Sequence, residues 1–206
     1  GSAWSEGTGT TMGTGSTRVW VAEGWGLTVP GASSIPARDA GHKRMAAACG
    51  RGTVDMVWED LTPDKVMTRE STMNAVTVAM AAGCSTNAII HLIAMARRAG
   101  IDLRLDDLDA IGRTTSVIAN IRPSGTDYLM EDFFYAGGLP ALMMALGNKL
   151  DLSVTTVTGS TLGACIDGAK NHNSDVIRPL SNPVYKEGSL AVLKGNLAPD
   201  GAVIKP

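Results

Sequence analysis

The sequence predicts an α/β protein that is rich in helix and ends in an extended segment. Three observations support this class. Apolar residues recur at helical spacing, between capping residues, up to about residue 146. Beyond that point, β-branched and apolar runs are bounded by Gly, Asn and Pro, as in strands. The chain also has 24 glycines and only 4% aromatic residues, which indicates close packing of small side chains and many turns.

Length and charge limit the classes of function. A chain of 206 residues can bury a core and forms one domain or at most two small ones. A net charge of −2 provides no basic field for nucleic acid or an anionic membrane. No apolar run reaches membrane-spanning length, and the start lacks the layout of a signal peptide. We therefore expect a cytoplasmic protein without nucleic-acid or membrane partners.

Six segments are predicted to be helical from their periodicity and end signals, and the acidic segment 105–109 is predicted to begin a further helix. The six segments are 17–25, 37–49, 53–60, 68–82, 86–98 and 138–146. The pattern is clearest over 86–98, where Ser85 and Thr86 offer cap hydroxyls and Gly100 follows the end. Segments 152–157 and 190–193 are predicted strands. Segment 202–205 resembles the start of another strand, with nothing evident for it to pair with.

The cysteines and histidines form no metal-binding pattern by spacing. Cys49, Cys84 and Cys165 are far apart in the chain, and no CxxC or HExxH motif is present. Each cysteine is therefore expected to be a small buried side chain.

Two polar segments leave alternatives open. The first 16 residues are almost entirely Gly, Ser and Thr, so they form either an anion-binding loop or a flexible terminus. Ser85, Thr86 and Asn87 stand at a predicted helix N-terminus. Ordinary capping and the binding of an anion explain them equally well.

Several longer motifs, taken in their order and spacing, resemble one enzyme family, the dihydroxy-acid and phosphogluconate dehydratases, which are iron–sulfur hydro-lyases. The resemblance covers nearly the whole chain. The motifs are GTGTTMGTGST (7–17), GCSTNAIIHL (83–92), PSGTDYLMEDFFYAGGLPAL (123–142), TVTGSTLG (156–163), DVIRPLSNPV (175–184) and GSLAVLKGNLAPDGAVIKP (188–206). The sequence of residues 128–139 is more similar to family members that act on sugar acids, such as arabinonate and xylonate, than to those that act on branched-chain precursors.

The resemblance implies a reaction and its cofactors. Family members dehydrate a 2,3-dihydroxy acid to an enol that becomes a 2-keto acid. An iron of the cluster acts as Lewis acid on the 3-hydroxyl, Mg²⁺ holds the carboxylate and 2-hydroxyl, and a serine takes the C2 proton. Metal ions suit this chemistry because they absorb the charge that develops on the enolate and on the leaving group.

One cluster ligand of the family should fall in the loop Thr8, Gly9, Thr10, Thr11 and Met12. The family has a cysteine where this chain has Gly9, and glycine offers no donor atom. Cys84 replaces a glycine of a neighbouring motif, and we interpret it as a buried substitution rather than as a relocated ligand. The other metal and catalytic motifs of the family match nothing here, so we assign no catalytic residue and no metal ligand to this chain.

The resemblance also predicts the architecture. Residues 1–187 correspond to the second part of a three-layer α/β/α domain, with helices on a mostly parallel sheet. Residues 188–206 correspond to the start of a β-rich domain. We expect a fragment of a homo-oligomeric sugar-acid dehydratase that exposes apolar surface and is inactive alone. The alternative is a non-catalytic remnant or assembly module that has lost its cluster ligand at Gly9.

Overall fold

The computed structural model describes residues 9–205, and about half of the chain is helical. The helices are α1 (Thr14–Gly24), α2 (Ala40–Trp58), α3 (Pro63–Val66), α4 (Arg69–Ala82), α5 (Asn87–Arg98), α6 (Leu105–Thr114), α7 (Met130–Tyr135), α8 (Gly138–Leu146) and α9 (Leu162–Ile166). Two strands follow, β1 (Ala191–Gly195) and β2 (Ala198–Ile204). This confirms the predicted helix-rich α/β class with an extended C-terminal segment.

Helix α4 forms the centre of the core. It begins at a reciprocal cap in which the Ser71 N–H donates to Thr68 Oγ1 and the Thr68 N–H donates to Ser71 Oγ. Its residues from Asn74 to Ala82 are all buried. Helix α1 packs closely against it at Gly24, where a Cβ atom would lie 2.9 Å from Val78 Cγ2. Small residues at this crossing therefore let the two helices approach.

Helix α2 differs from the prediction of two helices that separate at Gly50. It runs without interruption through Gly50 and Gly52, and the Thr53 hydroxyl donates to the Cys49 carbonyl within it. The glycines do not take the left-handed conformation that ends a helix, and open space surrounds both. None of the described residues of α2 is buried.

The extended segment 117–121 lies in the core but does not join a regular sheet. The Ile118 N–H donates to the Ala81 carbonyl at the end of α4, and the Asn120 N–H donates to the Val176 carbonyl. Its β-bridges are single and isolated. The mostly parallel sheet that we predicted is thus absent from residues 9–205, whose regular sheet is the antiparallel pair β1–β2.

The structure corrects two of the strand predictions. Strand β2 pairs with β1 in the register Ala191↔Ile204, so segment 202–205 does have a partner. Segment 152–157 is not a strand, because the Leu162 N–H donates back to the Val154 carbonyl and folds the segment onto α9. The hairpin is fastened to α4 by the Ser189 N–H, which donates to the Met80 carbonyl over 3.2 Å.

A buried carboxylate fixes the loop after α1. Glu23 is 2% exposed and accepts the Gly31 and Ser33 N–H groups at 2.6 and 2.9 Å. Burial raises the pKa of the Glu23 carboxyl, although hydrogen bonds from Ser33 and Gly31 oppose the shift. The loop is thereby held against the N-terminal end of α8, where Ser34 Oγ accepts the Leu139 N–H.

The predicted exposure of apolar side chains is confirmed. Val57 is 73% exposed, Trp58 83% and Leu197 96%. Among the described residues, no helix has both the length and the apolar character needed to cross a bilayer.

Two tryptophans provide a matched test of the core. Trp20 on α1 is fully buried, with its ring centroid 4.2 Å from that of Phe133. We expect Trp20→Ala to lower the free energy of unfolding by about 3–5 kcal/mol, because it leaves a large cavity. Trp58→Ala should change it by less than about 0.5 kcal/mol, since its ring contacts mainly solvent. Urea unfolding of the three proteins measures both; equal losses would contradict this core.

Candidate functional site

The loop before α1 is held at two backbone positions. The Met130 N–H donates to the Thr10 carbonyl at 2.9 Å, and the Met12 N–H donates to the Arg122 carbonyl at 2.8 Å. The Met12 side chain is 3% exposed, and its sulfur accepts the Thr17 hydroxyl. Gly9 and Thr11 are exposed, whereas Thr8 lies outside the described residues. The loop is therefore anchored at Thr10 and Met12 and open to solvent between them.

A glycine turn presents the second polar segment. Gly83 ends α4 with φ 74°, a left-handed conformation that favours glycine. A Cβ atom there would lie 2.5 Å from Ser124 Oγ, so a larger residue is excluded by space as well. After this turn, Cys84, Ser85 and Thr86 lead into α5.

Helix α1 brings the two predicted segments together. Asn87 Nδ2 donates to Thr14 Oγ1 at 2.8 Å, and the Ser85 and Thr14 hydroxyls are 3.4 Å apart. The Ser85 N–H donates to Thr17 Oγ1 at 3.0 Å. Loop 9–13 and residues Ser85–Asn87, far apart in sequence, therefore lie at the adjoining N-terminal ends of α1 and α5. We call this group of Thr14, Ser85, Thr86 and Asn87 the helix-end cluster.

The helix-end cluster lies at the positive ends of two helix dipoles. Neither Gly13 nor Thr86, the N-cap residues of α1 and α5, supplies a side-chain cap. Within the cluster, Ser85 Oγ accepts the Asn87 N–H at 3.4 Å. A cation is also near, because Lys205 Nζ donates to the Gly83 and Cys84 carbonyls at 2.7 and 3.2 Å. Burial lowers the pKa of Lys205, and the Cys84 thiol opposes the shift.

Sequence reasoning found part of this cluster and missed part. Ser85, Thr86 and Asn87 lie where they were predicted, before and at the start of α5. Thr14 and Lys205 were not singled out as site residues. The polar character of loop 9–14 was the available signal for Thr14. The sequence held no signal for Lys205, because its hydrogen bonds join positions far apart in the chain.

Comparisons with known proteins give the chain's family. A sequence model described as the dihydroxy-acid/6-phosphogluconate dehydratase N-terminal region matches residues 1–165, and its C-terminal counterpart matches residues 175–206. The chain belongs to this dehydratase family. The resemblance stated from the motifs is thereby confirmed.

Individual dehydratases match along almost the whole chain. A 6-deoxy-6-sulfo-D-gluconate dehydratase of Pseudomonas putida is 50% identical over 98% of the chain and 35% of its own length. An L-arabinonate dehydratase of Rhizobium leguminosarum is 47% identical over 90% of the chain and 32% of its length. A dihydroxy-acid dehydratase of Halothermothrix orenii is 43% identical over 87% and 33%. The chain thus spans about a third of the length of these relatives.

The described residues do not fit the cofactors that the dehydratase family implies. Between residues 9 and 205, no three His, Cys, Asp or Glu side chains come close enough to hold a metal ion. Gly9 has no donor atom, and nothing lies within 4 Å of where its Cβ would be. Cys84 is fully buried, and burial raises the pKa of its thiol to about 12. A thiolate ligand is therefore disfavoured at Cys84.

Thiol reactivity tests this contrast directly. We expect Gly9→Cys to leave stability within about 0.5 kcal/mol of the parent chain, because the position is exposed and open. Its new thiol should react quickly with a maleimide, while Cys84 reacts only after unfolding, because it is buried and fully protonated. Peptide mapping of labelled native and urea-unfolded protein measures both. Rapid native labelling of Cys84 would contradict the described packing.

Proposed function

We propose that this chain is part of a hydro-lyase that converts a 2,3-dihydroxy sugar acid to a 2-keto acid. The observation that carries the proposal is the helix-end cluster, a positively polarised surface built by motifs of a dehydratase family. Relatives named for sulfogluconate and arabinonate support a sugar acid as the substrate class. Loss of the C2 proton and the C3 hydroxide, followed by tautomerisation, balances this reaction as the release of one water.

In this proposal the chain's own residues bind and orient the substrate. The substrate's carboxylate lies against the N-terminal ends of α1 and α5. Asn87 Nδ2 donates one N–H to Thr14 Oγ1 and carries a second N–H for the carboxylate. Loop residues Thr10 to Met12 form the adjacent wall, since Met12 contacts Thr17 beneath the cluster. The iron–sulfur cluster and Mg²⁺ implied by the family would supply Lewis acidity. Their protein ligands would be residues other than the described ones.

Several wider features belong to the same proposal. This chain alone binds neither cofactor and is inactive, and the whole protein acts in the cytoplasm as a homo-oligomer. The exposed Val57 and Trp58 support association. We place the start of the β-rich domain at residue 188, shortly before β1, while the two family models divide the chain between residues 165 and 175.

The alternative function is a non-catalytic remnant or assembly module of the same dehydratase family. One observation favours it, the absence of a donor atom at Gly9 in a loop that is otherwise anchored. Both functions keep the helical scaffold. They differ in whether the helix-end cluster still binds a sugar acid.

Titration with gluconate, a simple sugar acid, tests the proposed function. We expect it to shift the amide NMR signals of Thr14 and Asn87, and Asn87→Ala to weaken binding about tenfold by removing a donor to a charged group. Asn196→Ala is the matched control, because Asn196 is exposed in the turn between β1 and β2.

The same titration separates the alternatives. Shifts confined to other surfaces, or equal affinities of the Asn87→Ala and Asn196→Ala variants, would contradict carboxylate binding at the helix-end cluster and favour the remnant. Gluconate at matched ionic strength, compared with sodium chloride, shows whether the shifts come from a carboxylate or from salt.

A further inference from the structure

Lys205 joins the C-terminal hairpin to the turn that precedes the helix-end cluster. It directly follows β2, and its ammonium group donates to the Gly83 and Cys84 carbonyls in the turn after α4, more than a hundred residues earlier in the chain. The residue is only partly exposed. The Gly83 carbonyl also accepts the Ser124 hydroxyl at 3.3 Å, so two side chains hold the same peptide group.

Hydrogen bonds hold the hairpin against α4 and α6, and they thereby fix the backbone position of Lys205. The Ser189 hydroxyl donates to the Ala79 carbonyl, and the Gly188 N–H donates to the Gly112 carbonyl at 2.7 Å. On the outer side, the Val192 N–H donates to Asp109 Oδ1 on α6. The Lys205 ammonium group is thereby placed at the C-terminal end of α4, where the helix dipole favours a cation.

The turn held by Lys205 is continuous with the helix-end cluster. Cys84, whose carbonyl it binds, is followed immediately by Ser85, whose N–H and hydroxyl meet Thr17 and Thr14. Rotation of the Gly83 or Cys84 peptide groups would move Ser85 away from both threonines. The separation between α5 and α1 at the cluster therefore depends on this turn.

We propose that Lys205 is a positioning residue that fixes the Gly83–Cys84 peptide groups and so keeps Ser85 and Asn87 aligned with Thr14 for an anionic substrate. The substrate part of this inference rests on the proposed function. The positioning part rests on the contacts of Lys205 and the turn alone. A lysine that only capped α4 would stabilise that helix without affecting Ser85.

Three variants test the inference. Lys205→Met keeps the length of the side chain and removes its donors, and Lys205→Arg restores donors. Lys194→Met is the matched control, because Lys194 lies on β1 and pairs with Asp106, away from the turn. The first readout is hydrogen exchange of the Ser85 amide, which donates to Thr17 Oγ1. The second is gluconate affinity, and the melting temperature shows that each variant folds.

The expected pattern is specific to the turn. Lys205→Met should speed exchange at Ser85 about tenfold and weaken gluconate binding several-fold, because charge-assisted bonds are lost. Lys205→Arg should recover most of both effects, and Lys194→Met should change neither. Unchanged exchange at Ser85, or faster exchange spread evenly along α4, would overturn the inference.

The two proposals can fail separately. If the parent chain does not bind gluconate but Ser85 exchange still follows residue 205, the proposed function fails and the positioning role is supported. If gluconate binds and Lys205→Met leaves both readouts unchanged, the proposed function stands and the positioning role is contradicted.

Discussion

The arrangement of the site depends on the glycine turn between α4 and α5. Gly83 combines a left-handed backbone with a close approach to Ser124, so steric space and backbone conformation both require glycine. Its carbonyl accepts Ser124 and Lys205, which tie the turn to the core segment and to the hairpin. One buried peptide group thus connects three parts of the chain. Its hydrogen bonds are costly to break because buried carbonyls need partners.

The same turn explains how a helical scaffold gains a polarised surface. α4 is buried from Asn74 to Ala82 and ends at the turn, and α5 begins at Asn87 beside Thr14 of α1. Two helix N-termini therefore meet at one surface without acidic caps. Helix N-termini of this kind suit anions, and this is the basis of the proposed carboxylate binding. It does not supply metal donors, and Gly9 leaves the loop beside it without one.

Local signals predicted local elements well and long-range pairing poorly. Helix α8 has the predicted bounds, because a proline in its first turn and glycine at its end are sequence-local signals. Helix α2 was predicted in two parts, since exposed glycines resemble stops unless their conformation is known. The partner of β2 and the contacts of Lys205 depend on tertiary packing, which periodicity does not encode. The motifs located Ser85 to Asn87, whereas Thr14 as their partner required the structure.

Within residues 9–205, this member of the dehydratase family keeps a helical scaffold but has no group of side chains that could hold a metal ion. Anaerobic reconstitution of the chain with iron and sulfide, followed by visible absorption and iron analysis, measures whether it can still hold a cluster. We expect a colourless protein without bound iron, because Gly9 offers no ligand and Cys84 is buried as a thiol. A stable brown cluster with stoichiometric iron would contradict it, and would make Cys49, Cys84 and Cys165 the ligands to replace.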